Sequence, residues 1–229
     1  MRKLRMAGIA IFGAVALLHQ LPASAADMKI VPPPTTDIPS TSAPQTVVLS
    51  GGCFWGVQGV FEHVQGVERA VAGYAGGTAD TANYETVSTG STGHAESVQI
   101  TYDPQKISFG HVLQIFFSVV TDPTEVNRQG PDDGTQYRSD IFTTSADQAR
   151  VAHSYIAQLD AAHVFNRKIA TRVDTLPGFY PAEAYHQDFL VENPNYPYIV
   201  YNDAPKVTAL KALFPADWRA EAKLSGARG

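Results

Sequence analysis

The chain has 229 residues, 44% of them hydrophobic and 17% charged, and a net charge of −5 at neutral pH. That composition is of the ordinary globular kind, and a mildly acidic chain without a basic cluster is a poor partner for nucleic acid or anionic lipid. It holds one cysteine, Cys53. In an exported protein a lone cysteine points to a reactive thiol or to intermolecular pairing, the alternative being a buried, inert one.

The chain opens on MRKLRM, a short basic segment, followed by an apolar run over residues 7–18 that is too short to span a bilayer. Small residues at Ala23 and Ala25 then complete the pattern of a secretory signal over residues 1–25. Export, to the periplasm, is therefore expected. Setting aside Arg2, Lys3 and Arg5 makes the remaining chain three units more negative. Residues 26–44 carry Pro32, Pro33, Pro34, Pro39 and Pro44 among threonines and serines. They read as an extended linker with no core-forming pattern, so the folded part is expected to start at Gln45.

From there strands and helices alternate. Residues 46–49 form a short strand ended by Gly51 and Gly52. A helix starts at Cys53 with Val57, Val60, Phe61 and Val64 on one face and Gly66 as its stop. Residues 67–74 read as a second strand, and residues 94–102 as a third with the cleanest alternation in the chain. An apolar helix follows over 108–120. Ser145-Ala-Asp-Gln148 has the form of a capping box, opening a helix with Val151, Tyr155, Ile156 and Leu159 inward. A strand over 168–173 and a short helix over 182–191 complete the series. Elements of this kind imply a two-layer α+β or α/β domain, spanning residues 45–215, with a C-terminal tail over 216–229. Asp122, Glu125, Asp132 and Asp133 are too irregularly spaced for a standard ion site, so no metal is expected.

Cys53 falls after a strand and a glycine pair, at a helix N-terminus. Unpaired backbone N–H groups and the helix dipole there favour an anion, which predicts a lowered thiol pKa and ready thiolate. Gly51 and Gly52 permit a tight turn and a close approach of substrate to the backbone. Phe54 and Trp55, consecutive in the first turn, cannot both face one core direction. They read as an apolar wall for a small hydrophobic group, or as one core ring and one surface ring.

In the strand over 94–102, the two-residue period puts Glu96 on the same face as Val98 and Ile100, the buried face. A carboxyl there is desolvated, its pKa rises, and it becomes a proton donor near neutral pH, unless it escapes to solvent at the strand end. Tyr84 and Tyr137 lie in hydroxyl-rich loops, where phenols are commonly surface residues. A thiolate, a neutral carboxylic acid and phenols would together suit attack on a polar, oxygen-bearing electrophile.

GCFWG at 52–56, YETVSTGSTGHAE at 84–96 and DDGTQYRS at 132–139 closely resemble the methionine sulfoxide reductases of the A type. The likeness continues through FYPAEAYHQDFL at 179–190 and NPNYPYI at 193–199, and covers nearly the whole domain. It implies a two-layer α/β sandwich around a mixed sheet, α+β and ferredoxin-like in class, with no metal or organic cofactor. It implies reduction of the S epimer of methionine sulfoxide, free or in proteins, the reversible rung of methionine oxidation. By resemblance Cys53 is the nucleophile and Glu96 the acid that turns the sulfoxide oxygen into water. Tyr84 and Tyr137 bond that oxygen, Asp132 supports the site, and Phe54, Trp55 and Gly52 bind substrate, the two rings taking its S-methyl group.

The chain departs from the family in one respect. Many members carry one or two further cysteines near the C-terminus that resolve the sulfenic acid, and residues 193–229 hold none. An external thiol is then required: a thioredoxin-like protein, a glutaredoxin or a small thiol. A monomer is expected. Two rival readings are an exported cysteine hydrolase using Cys53 with His94 or His186 as base, and a binding module for methionine side chains.

Overall fold

A computed structural model of the chain describes residues 28–226; the expected signal segment lies outside them. The first strand, β1 (Gln45–Gly51), carries Val47, Val48 and Leu49, all fully buried. A continuous apolar run of this kind suits a central strand covered on both faces. Helix α1 (Phe54–Glu62) packs on β2 (Val67–Ala75), and a short helix, α2 (Tyr84–Val87), precedes β3 (Ala95–Tyr102). Helix α3 (Phe109–Ile115) starts at Ser108, whose hydroxyl accepts the His111 N–H, and runs into a π turn over Phe116–Val120.

Two short strands, β4 (Arg128–Gln129) and β5 (Asp132–Asp133), pair with each other in the next loop. Then come β6 (Ser139–Thr143), α4 (Ala146–Ala161), β7 (Arg172–Thr175), β8 (Phe179–Pro181), α5 (Phe189–Glu192) and α6 (Ala204–Leu213). The main sheet has six strands in the order β7-β6-β1-β3-β2-β8. All neighbours are antiparallel except β6 and β7, so the sheet is mixed, within an α+β two-layer domain of the class expected. In β3 the register sets Glu96 opposite Tyr74, and Val98 between Leu49 and Ala72. These residues face the helices, and Val48, Ala75, Ala95 and Phe142 cover the other face with Leu176 and Phe179.

Two elements carry weak sequence signals. Strand β6 is disguised by Asp140, which is wholly buried and paired with Arg138 at 3.1 Å. Helix α6 buries only Leu210, so it lacks an apolar stripe. The expected helix over 182–191 is split into a 3₁₀ turn, Ala184–His186, and α5, because Asp188 between them has φ +58. The strand expected over 168–173 starts later, at Arg172.

Residues 28–44 hold no regular structure, yet they are no free linker: the folded part starts before Gln45. Val31 is fully buried, and its N–H and C=O pair with Ser118 Oγ and Gln114 Nε2. The Tyr155 hydroxyl and Gln158 Nε2 donate to the carbonyls of Pro32 and Pro33 at 2.6 and 2.9 Å. Asp37 Oδ1 accepts the Gly110 N–H at the start of α3. A proline-rich backbone cannot satisfy its own carbonyls, so side chains of α3 and α4 do it.

The C-terminal tail is docked as well. The Arg219 and Lys223 N–H groups donate to the carbonyls of His63 and Glu62, and Ser225 N–H to Asp188 Oδ1. Val31→Ala tests the docked segment: it removes two buried methyls and should cost about 2 kcal/mol in chemical denaturation. A linker outside the fold would give no change.

Candidate active site

Gly52, at φ +95, turns the chain out of β1, and a Cβ there would lie 2.7 Å from Gln129 Cβ. Its need for glycine thus comes from backbone conformation and from Gln129, before any substrate is considered. Cys53 follows at the N-cap position of α1, 8% exposed. Its sulfur accepts the Trp55 backbone N–H, which favours thiolate, but burial and the charges of Asp203, Glu96 and Asp132 act the other way. The thiol pKa is held well above the ordinary value. The lowered pKa expected from the helix terminus is therefore not found, because desolvation and three carboxyls outweigh one helix end.

Glu96 is 3% exposed on β3. Burial pushes its carboxyl up to about 8, against the Phe54 backbone N–H that donates to Oε2 at 3.0 Å and favours the ion. At neutral pH it is a protonated acid beside the sulfur. Burial followed by the charge of Glu96 also raises the Tyr84 and Tyr137 hydroxyls, so both remain donors. Tyr137 faces Glu96, Asp132, Cys53 and Tyr84, and the phenols, the acid and the thiol therefore converge. Asp132 Oδ2 accepts a very short hydrogen bond from the Tyr198 hydroxyl, and burial raises its pKa.

The two aromatics after Cys53 both reach His186. Phe54 is 1% exposed, with ring centroids 5.0 Å from His186 and 5.9 Å from Tyr74. Trp55 is half-buried, stacks on Phe189 at 3.9 Å and donates its indole N–H to His186 Nδ1 at 3.2 Å. Tyr84 packs on the same imidazole, and its backbone N–H is held by Glu183 Oε1. With Nδ1 occupied, His186 carries its proton on Nε2 and has no lone pair free to act as a base. His94 is equally engaged, accepting the Gly77 N–H at Nδ1 and bonding Thr78 O through Nε2. The Cys–His hydrolase reading loses both its candidate bases.

Three residues of the site lie beyond the sequence reading: Tyr198, Glu183 and Asp203. Tyr198 and Glu183 sit inside the quoted motifs, where nothing in a linear pattern separates a site phenol or carboxylate from a surface one. Asp203 ends a π turn over Ile199–Asp203 that runs into α6, and nothing in the linear pattern marks it as buried. A cleft of about 690 Å³, lined by Cys53, Gln129, Asp132, Tyr198, Asn202 and Lys206 among others, opens onto the sulfur.

The sequence profile of the peptide methionine sulfoxide reductases matches residues 45–217. The chain belongs to that family. It is 62% identical over 172 residues to a peptide methionine sulfoxide reductase MsrA 2 of Mesorhizobium japonicum, covering 75% of this chain and 88% of that one. It is 49% identical over 197 residues to the MsrA 2 of Synechocystis, covering 84% and 92%. Among solved structures it resembles reduced Mxr1 from Saccharomyces cerevisiae, with TM-score 0.62 and 31% identity over 71% of this chain and 92% of that one. Methionine sulfoxide reductase A of Corynebacterium diphtheriae gives TM-score 0.58 and 30% identity over 75% and 89%.

The raised Glu96 pKa makes a stability prediction for this reductase-family chain. An acid with a higher pKa folded than unfolded destabilises the fold as pH rises from about 4.5 through 8, because the buried ion must form. Glu96→Gln keeps the acceptor for Phe54 N–H and cannot ionise. Thermal melts should show the variant gaining stability relative to wild type at pH 9 and not at pH 4. Equal differences at both pH values would contradict a buried, proton-retaining Glu96.

Proposed function

We propose that the protein reduces methionine (S)-sulfoxide, free or in oxidised proteins, to methionine, with Cys53 as nucleophile and Glu96 as general acid. The observation that carries this reading is the pairing of a buried thiol with a buried, protonated carboxyl. A sulfoxide needs both: a soft nucleophile on sulfur and a proton on its oxygen. Tyr84 and Tyr137, kept protonated by burial, donate hydrogen bonds to the same oxygen. Asp132, fixed by Tyr198, supports that side of the site. Phe54 and Trp55 form the apolar side that receives the S-methyl group, with Gly52 allowing the turn that presents the sulfur.

In the reaction the Cys53 sulfur attacks the sulfoxide sulfur as Glu96 protonates its oxygen. Methionine leaves and Cys53 becomes a sulfenic acid, two electrons having passed from cysteine to sulfoxide sulfur. No second cysteine exists in the chain. An external thiol, from a thioredoxin-like protein, a glutaredoxin or a small thiol, therefore displaces water to give a mixed disulfide, and a second thiol releases Cys53. The protein acts as a monomer after export to the periplasm. The leader pattern over residues 1–25 supports the location, and comparing full-length and mature masses in a periplasmic extract tests it.

Without added thiol, one equivalent of methionine per protein should form and the reaction should stop, with a trapped sulfenic acid on Cys53 found by mass spectrometry. Sustained turnover without thiol would refute the mechanism. Cys53→Ser should abolish reduction while keeping the fold. Handedness is a separate test: with methyl on the Phe54–Trp55 side and oxygen on the Glu96 side, the R epimer should be left untouched.

A further inference from the structure

Glu183 takes no part in the reduction as described so far, yet its carboxylate bridges two tyrosines at the edge of the site. It follows β8, which pairs with β2 so that Tyr180 stands opposite Tyr74, and the Ala182 N–H donates to Ala72 O at 2.9 Å. On the other side of β2 the register sets Tyr74 opposite Glu96. Oε2 of Glu183 accepts the Tyr74 hydroxyl at 2.8 Å, and Oε1 accepts the Tyr84 backbone N–H at 2.9 Å. Tyr74 is wholly buried, with its ring 5.9 Å from Phe54, and so is a fixed post in the sheet. Glu183 ties Tyr84 to that post.

Tyr84 needs such a tie. It opens α2, a helix of four residues in the loop between β2 and β3. A helix that short has no stability of its own and takes its position from its anchors. Among the described residues, the other hydrogen bonds given for residues 84–87 stay inside the loop, with partners between residues 81 and 90. The bond to Glu183 is the one that leaves it. The Tyr84 ring packs on His186 at 4.5 Å, and the His186 backbone N–H bonds Glu183 O at 2.9 Å. One residue thus holds the Tyr84 backbone and starts the turn on which its ring rests.

Burial acts to raise the Glu183 carboxyl, but the Tyr84 N–H, its own backbone and the Tyr74 hydroxyl hold it below the usual glutamate value. Glu183 is an anion at neutral pH, and both hydrogen bonds to it are of the stronger, charge-assisted kind.

We infer that Glu183 is a positioning residue for the reduction: its two hydrogen bonds fix Tyr84 to the sheet and keep the phenol turned to the sulfoxide oxygen. This rests on the reductase reading and adds what holds its oxygen-side donor in place. No proton or electron passes through Glu183; it acts through Tyr84. A donor stabilises developing charge on oxygen only when it is already aimed at that oxygen. The methyl side keeps its own supports: Phe54 N–H on Glu96, and Trp55 stacked on Phe189. Loss of Glu183 should therefore lower the rate and leave substrate binding in place.

The test is single-turnover reduction of methionine sulfoxide at varied concentration. Glu183→Leu, similar in size and without an acceptor, should slow the saturating rate about 10-fold, less than the ~10² or more of an oxygen-side donor removed outright. Its half-saturation concentration should stay within about 2-fold of wild type, the pattern of an interaction made in the transition state. Glu183→Gln keeps an oxygen for the Tyr84 N–H and an amide for the Tyr74 oxygen, so it should recover most of the rate. In a Tyr84→Phe background Glu183→Leu should add no more than about 2-fold, because the group it positions is gone. A general fold defect would slow both backgrounds alike. An unchanged rate in Glu183→Leu, a loss seen in half-saturation, an equal loss in Glu183→Gln, or an equal loss in the Tyr84→Phe background overturns the assignment. Wild-type protein that reduces no sulfoxide ends the reductase reading itself, whereas an active wild type with an equally active Glu183→Leu ends only the role of Glu183.

Discussion

The hydrogen bond from the Phe54 backbone N–H to Glu96 Oε2 fixes the rest of the site. Phe54 opens α1, and a first-turn N–H has no partner inside its own helix. Cys53, at the N-cap, supplies no side-chain cap of its own, so a carboxyl from the neighbouring strand provides the acceptor. One bond thereby ties Glu96 to Cys53, since the residue that donates follows the cysteine directly. It also stabilises the charged form of Glu96, yet burial wins and leaves the group at about 8. The same carboxyl is a structural clamp on α1 and keeps its proton at neutral pH.

Electrostatics in this pocket run against the simple rule for cysteines at helix ends. A helix N-terminus is worth about 0.3–1 kcal/mol, and about 2 kcal/mol in partly buried geometries. One pKa unit corresponds to about 1.4 kcal/mol, so the dipole alone moves a thiol by about one unit. Desolvation of a buried group reaches several units, and Asp203, Glu96 and Asp132 add their charges in the same direction. The resting cysteine is consequently a protected thiol. A thiol held in this way becomes reactive only where its proton finds an acceptor.

Much of this arrangement is legible in the sequence because it rests on short-range periodicity. The alternation Glu96, Val98, Ile100 in β3 puts a carboxyl on the core face, and the glycine pair before Cys53 marks the strand-to-helix turn. The invisible parts depend on tertiary position. Asp203 carries no linear sign of burial, and only the space left by Gly56 shows that it packs against α1. His186 looks like a candidate base, and only the Trp55 indole bonded to Nδ1 removes it. The proline-rich segment looks solvated because its partners, Gln114, Tyr155 and Gln158, lie about a hundred residues away.

The described part of the C-terminal tail is held firmly on the fold. Here the chain after α6 is bonded step by step along the end of α1. Asp217 O accepts Gln65 N–H, Arg219 spans His63, Val64 and Val67, and the Lys223 N–H bonds the carbonyl of Glu62. Burial and the adjacent Asp188 hold the Glu62 carboxyl up to about 9, so at neutral pH this end of α1 faces Asp188 as a neutral acid. The described tail residues do not line the cleft at Cys53, which is bounded by Gln129, Asn202 and Lys206 among others.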